Sequence, residues 1–134
     1  MDKFKITLLF TSLVIGGWLT AVHASEPEAA KSEKLCVGLT QIDGIDIIDK
    51  QNIVFRMNNG GYYLNRLPNS CSTLYRDKAI MYKTSLSELC NVDIITVLDS
   101  IGGGYEPAGA CGLGKFKPIS KAEYDAMRHK STEK

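Results

Sequence analysis

Four cysteines, at positions 36, 71, 90 and 111, constrain the fold of this chain more than any other feature. Their separations of 35, 19 and 21 residues contain no C-x-x-C. That disfavours a zinc cage and a thioredoxin-like redox pair. Whether such cysteines join as disulfides depends on the redox compartment, and the start of the chain speaks to that. Met1 to Lys5 is basic, with Lys3 and Lys5 outweighing Asp2, and Ile6 to Leu19 is largely apolar. Val22 and Ala24 then offer short side chains at the positions a signal peptidase reads. Basic start, apolar run and small-residue site together predict a signal peptide over 1–24. The apolar run of 14 residues is shorter than the roughly 20 that a membrane-spanning helix needs. A periplasmic or secreted protein is the expectation, without stable membrane insertion after cleavage. Ser25, not a cysteine, follows the site, so a lipid anchor is not indicated.

Cleavage leaves 110 residues with 14 basic and 14 acidic side chains, which suits one small domain. In an exported chain, four well-separated cysteines read as two disulfides. Three connectivities are open. The favoured one is Cys36–Cys111 with Cys71–Cys90 nested inside, each tying a strand to a neighbouring loop or strand. Closing loops of such lengths contributes about 3 to 4.5 kcal/mol apiece in the chain-entropy account, a large share of the stability of a small domain. No basic run exceeds two residues, which argues against nucleic acid or an anionic membrane as the main partner.

The pattern after the polar lead-in (25–35) is mostly β. Cys36 to Ile42 and Ile45 to Ile48 are apolar-rich runs separated by Asp43-Gly44, a turn dipeptide. The stretch IVFRM puts Ile53, Phe55 and Met57 on one face and Val54 and Arg56 on the other. Asn58-Asn59-Gly60-Gly61 is a hairpin turn, because Asn and Gly tolerate positive φ, and Tyr62 to Leu67 returns as its partner strand. Cys71 to Lys78 is a loop or a helical turn. Ala79 to Thr84 is a further strand, Ser85 to Asn91 a loop around Cys90, and Asp93 to Asp99 a buried strand rich in β-branched residues. Gly102 to Gly109 reads as a loop and Cys111 to Phe116 as the last strand. Ser120 and Glu123 form a capping-box pair that starts a helix, and Tyr124 and Met127 are placed to lie against the sheet. The helix is expected to fray into a polar tail over 129–134. The fold class is therefore mainly β with a minor α part: a small antiparallel sheet, curled or barrel-like, with a C-terminal helix and two disulfides. The structured domain spans 36–128.

Several of these stretches resemble a family of small exported bacterial domains of unknown function that carry four cysteines. A Y-Y-x-x-x-L-x-x-x-C element corresponds to Tyr62, Tyr63, Leu67 and Cys71. An L-C-x-x-D-x-I element corresponds to Leu89, Cys90, Asp93 and Ile95. The C-x-L-G-x-F-x-P ending corresponds to Cys111, Leu113, Gly114, Phe116 and Pro118. The likeness runs from Cys36 to Met127, with Val92 standing where the family often has glycine. It implies a periplasmic or outer-envelope setting and brings no established activity, substrate or catalytic residue.

Motifs that carry chemistry are sparse. Gly109, Gly114 and Lys115 match a P-loop until Phe116 takes the place of the hydroxyl that binds magnesium. The alternation of Lys115, Phe116 and Lys117 fits a strand, not a helix start, so these glycines are read as structural. His23 leaves with the signal and His129 lies in the tail, so no histidine base or metal site is indicated. Asp43 with Asp46, Asp93 with Asp99, and Glu106 offer carboxylates for a small hydrolase, although Asp at turns commonly bonds local backbone. The favoured binding surface is aromatic: Tyr62 and Tyr63 point to opposite faces of one strand, and the exposed one joins Tyr105 to stack on a sugar or a protein partner. The leading reading is a non-enzymatic accessory or binding module of the cell envelope, with an envelope protein or glycan as partner. No cofactor, catalytic residue or metal ligand is assigned. A carboxylate hydrolase and a secreted inhibitor or effector are the alternatives.

Overall fold

The alternation in Ile53 to Met57 builds the centre of the molecule. In the computed structural model, which describes residues 32–133, Asn52–Met57 (β3) lies between Ile42–Ile47 (β2) and Tyr62–Arg66 (β4), and Phe116–Ile119 (β9) completes an antiparallel sheet on the far side of β4. The predicted signal peptide over 1–24 and most of the expected lead-in lie outside the described residues. A second sheet joins Ala79–Tyr82 (β5), Ile94–Ile101 (β7) and Gly104–Gly112 (β8). Cys36–Gly38 (β1) pairs with Glu88–Cys90 (β6) in a two-stranded ladder. One helix, Lys121–Thr132 (α1), closes the chain. The protein is mainly β, with antiparallel sheets, one C-terminal helix and two disulfides. Among the described residues no helix is long and apolar enough to cross a membrane.

The two faces of the four-stranded sheet do different work. Ile53, Phe55, Met57 and Phe116 face a core shared with Ile95 and Val97 of the second sheet. Phe55 and Phe116 meet edge to face at 5.2 Å, a favourable quadrupole arrangement. On the opposite face, Val54 packs with Ile48 and with Tyr124 of α1, and Tyr62, Leu64 and Met127 flank them. The order of layers is thus sheet, core, sheet, helix. Phe116 is fully buried, as expected of a residue in a closing strand and not in a phosphate loop.

Among the described residues, Asn65 is the one buried polar residue of the core. Its side chain donates to the Gly114 carbonyl at 2.6 Å and accepts from the Gly114 N–H at 2.8 Å. This peptide-like clamp satisfies both polar atoms of the amide and stitches the crossover between β8 and β9 to β4. Gly114 must be glycine for it: a Cβ there would overlap the Arg66 carbonyl oxygen.

Several local expectations change. Asp43-Gly44 is a β-bulge within β2, not a turn: the register steps from Ile42 opposite Met57 to Gly44 opposite Arg56. A Cβ at Gly44 would strike the Arg56 side chain, so the glycine lets that side chain cross the strand. The glycine-rich segment is not a loop. Only Gly102 and Gly103 turn, at φ of 59° and 83°, and Gly104–Gly112 pairs along β7, with a bulge that accommodates Pro107. The last strand begins at Phe116, because Cys111 and Gly112 belong to β8. Glu88–Cys90, read as loop, is a strand because β1 pairs with it. The helix continues through residues 129–132 where a tail was expected.

The disulfide pairing is also different. Cys36 joins Cys90 and Cys71 joins Cys111, so the links interlace and the nested Cys36–Cys111, Cys71–Cys90 arrangement is not formed. Cys36 and Cys90 are direct cross-strand partners of β1 and β6, with Cα atoms 4.0 Å apart. The sequence hides that pairing, because residues 85–91 have the composition of a loop. Both bonds belong to an oxidising environment. Non-reducing peptide mapping is expected to recover Cys36–Cys90 and Cys71–Cys111; a Cys36–Cys111 peptide would contradict this topology. Asn65→Ala, which strips both bonds from the Gly114 peptide, is expected to lower the unfolding free energy by about 2 kcal/mol, read by urea denaturation with the disulfides intact.

Candidate functional site

The β2–β3 turn is held by one carboxylate. Asp49 accepts from the Gln51 and Asn52 N–H groups at 2.8 and 2.9 Å, and from the Asn52 amide. Its geometry then captures the chain that follows β4. Leu67 N–H donates to the Gln51 carbonyl at 2.8 Å and Cys71 N–H to the Lys50 carbonyl at 2.7 Å, while the Gln51 side chain donates to the Leu67 carbonyl. The disulfide to Cys111 and the fully buried Leu74 anchor this segment from below. Tyr75, Arg76 and Asp77 are left on the surface.

The helix forms the opposite wall. Ser120 and Glu123 make the expected capping box: Glu123 N–H donates to Ser120 Oγ at 3.1 Å, and Ser120 N–H to Glu123 Oε2 at 2.7 Å. The bond from the Ser120 backbone holds the Glu123 carboxyl below its ordinary value. Tyr124, one turn in, stacks on Tyr62 at 4.7 Å and donates its hydroxyl to Asp46 Oδ2 at 2.8 Å. Burial first, and that hydrogen bond second, push the Tyr124 phenol above its usual value. At the far end, Arg76 Nη1 donates to Thr132 Oγ1 at 3.2 Å and bridges the loop to the helix.

Between these walls lies a groove of about 560 Å³, within the roughly 300–1,000 Å³ of small-ligand pockets. Ile48, Leu74, Tyr75 and Met127 give it a mostly apolar lining, and Lys50, Arg76 and Lys130 stand around it. A smaller chamber of about 240 Å³ adjoins it, sharing Ile48 and Arg76, and is mainly polar, with Asp46, Lys78 and Arg128. Across the two, five cations meet two carboxylates, Asp46 and Asp49. Both carboxylates are already engaged: Asp49 within its turn, and Asp46 by Tyr124 and by Arg56 Nε at 2.8 Å. The groove is therefore apolar along its floor and positive around its opening.

The residues singled out from the sequence are dispersed. Tyr62 lies against Tyr124. Tyr63, on the other face, packs at the edge of the main core with Lys34 Nζ 5.4 Å from its ring centre. Tyr105 is exposed near the tip of the β7–β8 hairpin, roughly 20 Å along its strand from Cys111. Tyr62 and Tyr63 are both half-buried and belong to a different sheet from Tyr105. Asp43 and Asp46 share Arg56, the former at 3.4 Å. Asp93 accepts from the Cys90 N–H at 2.6 Å. Asp99 is ion-paired with Lys78 and stands opposite Glu106 across the ladder. Asp93 immediately precedes β7, whereas Asp99 lies in its second half. Glu88 is close to Cys36 and Cys90, but both sulfurs are consumed in their disulfide.

The groove residues Lys50, Arg76, Lys130, Tyr75 and Met127 were missed in the sequence because they come from three separated segments. A signal was present in Leu74-Tyr75-Arg76, where a large aromatic sits beside a cation in a segment without regular periodicity. No protein-family model matches this chain, and no curated protein or solved structure matches it.

The Tyr124–Asp46 bond sets a pH dependence. A phenol whose value is raised in the fold contributes stability that is complete below its unfolded value of about 10. That contribution is lost as pH rises through the folded value. Tyr124→Phe is expected to cost about 2 kcal/mol at neutral pH and to show a shallower alkaline loss of stability than the parent, measured by urea denaturation across the alkaline range.

Proposed function

We propose that this protein is a non-enzymatic binding module of the periplasm or the secreted space, an accessory component of the cell envelope, and that its binding site is the groove beneath α1. The observation that carries this reading is the groove's construction: an apolar floor at the surface, walled by a disulfide-anchored loop and a capped helix. Apolar surface left open on a small domain raises the cost of solvation, and concave patches of this kind commonly serve recognition. The likeness to exported four-cysteine domains accords with the setting. Support for a non-enzymatic role comes from the carboxylates. Asp43, Asp46, Asp93 and Asp99 each have a structural partner, and Glu106 stands across from an ion-paired Asp99.

A neutral apolar dye tests the reading without presuming a head group. N-phenylnaphthylamine is expected to brighten on the native protein. Met127→Asp, which places a charge on the groove floor, should abolish the enhancement with the far-ultraviolet circular dichroism retained. Tyr75→Asp, at an exposed position of the same lining, should weaken it without any burden on folding. No enhancement on the parent, or equal enhancement in both variants, would sink the groove as the site.

A further inference from the structure

The arrangement of the two chambers narrows the ligand class, and the inference rests on the groove being the site. We infer that the groove takes a single-chain anionic amphiphile, free in the aqueous phase, with its alkyl chain on the Ile48–Leu74–Met127 floor and its oxyanion head group in the adjoining polar chamber.

Three observations carry this. First, the chambers differ in character while touching: the larger is lined mainly by carbon, the smaller mainly by polar atoms, and Ile48 and Arg76 belong to both. A ligand filling them is apolar at one end and polar at the other. Second, the polar end is cationic. Arg76, Lys78 and Arg128 line the small chamber with Asp46 as the acid among them, and Asp46 is bound to Arg56 and Tyr124. Lys78 is paired with Asp99 and Asp77, so Arg76 and Arg128 carry the head-group selectivity. Arg76 donates only to the neutral Thr132 hydroxyl, and Arg128 lies over the Tyr124 ring at 5.6 Å; neither has a carboxylate partner within salt-bridge distance among the described residues. Guanidinium groups of this kind bind carboxylate and phosphate by paired hydrogen bonds. Third, the size is limiting. The larger chamber, about 560 Å³, suits one chain, and a two-chain phospholipid would leave much of itself in water.

The charge is also concentrated beyond what composition implies. The mature chain has equal numbers of acids and bases, yet among the described residues five cations line these chambers against two engaged carboxylates, and only Lys78 of the five is ion-paired, with Asp77 and Asp99 outside the lining. Methylenes buried on the floor supply the affinity, and the head group fixes orientation and selects by charge.

Displacement of N-phenylnaphthylamine by dodecyl amphiphiles, each below its micelle concentration, separates the terms. Dodecyl phosphate and dodecanoate are expected to displace the dye at concentrations about tenfold lower than dodecyl maltoside, and dodecyltrimethylammonium to be weakest. In the doubly substituted Arg76→Gln/Arg128→Gln protein, changed only at exposed positions, displacement is scaled to the variant's own dye affinity, and the anionic chains should lose their advantage over dodecyl maltoside. Equal displacement by neutral and anionic chains, or a preference that survives the double substitution, overturns the inference while leaving the groove as a binding site. Association with anionic phospholipid vesicles in the absence of monomer binding would also overturn it, in favour of a membrane surface. Failure of the dye itself to bind removes the site, and with it both readings.

Discussion

Because Cys71 follows β4 by a short stretch and Cys111 lies one residue from the end of β8, their disulfide fastens a loop leaving the first sheet onto the last strand of the second. Much of the architecture depends on that bond. It holds Leu74 in the core, and it sets the position from which Tyr75 and Arg76 reach the surface. The crossover that follows Cys111 brings Gly114 to Asn65 and Phe116 to Phe55. The second link, Cys36 to Cys90, staples the short β1–β6 ladder to itself. Links spanning 54 and 40 residues each remove about 4 kcal/mol of loop entropy from the unfolded chain, and because they interlace, neither half of the domain can come apart alone.

The parts of the fold that were legible in the sequence are those governed by local physics. The hairpin at Asn58–Gly61 appears because Gly60 adopts the positive φ that the turn requires. Ile53, Phe55 and Met57 share the core face because strands alternate. The capping box at Ser120 and Glu123 is a property of four consecutive residues. Elements that depend on a distant partner were not legible. Glu88–Cys90 has little strand character of its own and becomes a strand through β1. Gly104–Gly112 looks like loop by composition and is held extended by β7. Asp43-Gly44 has turn chemistry, yet pairing with β3 and the need to pass Arg56 convert it to a bulge.

The groove lies at the far end of this scale. Its cations come from the β2–β3 turn, the segment after Cys71 and the last helix, and none of these segments is strongly basic alone. A search for basic runs therefore finds a chain of even charge, while folding collects Lys50, Arg76, Lys78, Arg128 and Lys130 on one side. The acids follow the opposite rule. Asp43, Asp46, Asp49, Asp93 and Asp99 are each drawn into a turn, a backbone bond or an ion pair. Even charge in composition thus becomes separation in space, with these carboxylates spent on structure and Arg76 and Arg128 without a carboxylate partner among the described residues.

That division follows from how the domain is stabilised. A domain of this size buries too little surface to tolerate much imperfect packing, and a groove with an open apolar floor is an imperfection. Interlaced disulfides lower the entropy of the unfolded chain without filling any space in the folded one. The stability they add does not depend on closing the gap between α1 and the loop that carries Tyr75. The helix can then be attached by a few directional contacts, namely Tyr124 on Tyr62, its hydroxyl on Asp46 and Arg76 on Thr132, instead of by a continuous apolar face. A helix fastened at points along its length leaves room between the points, and the groove is that room.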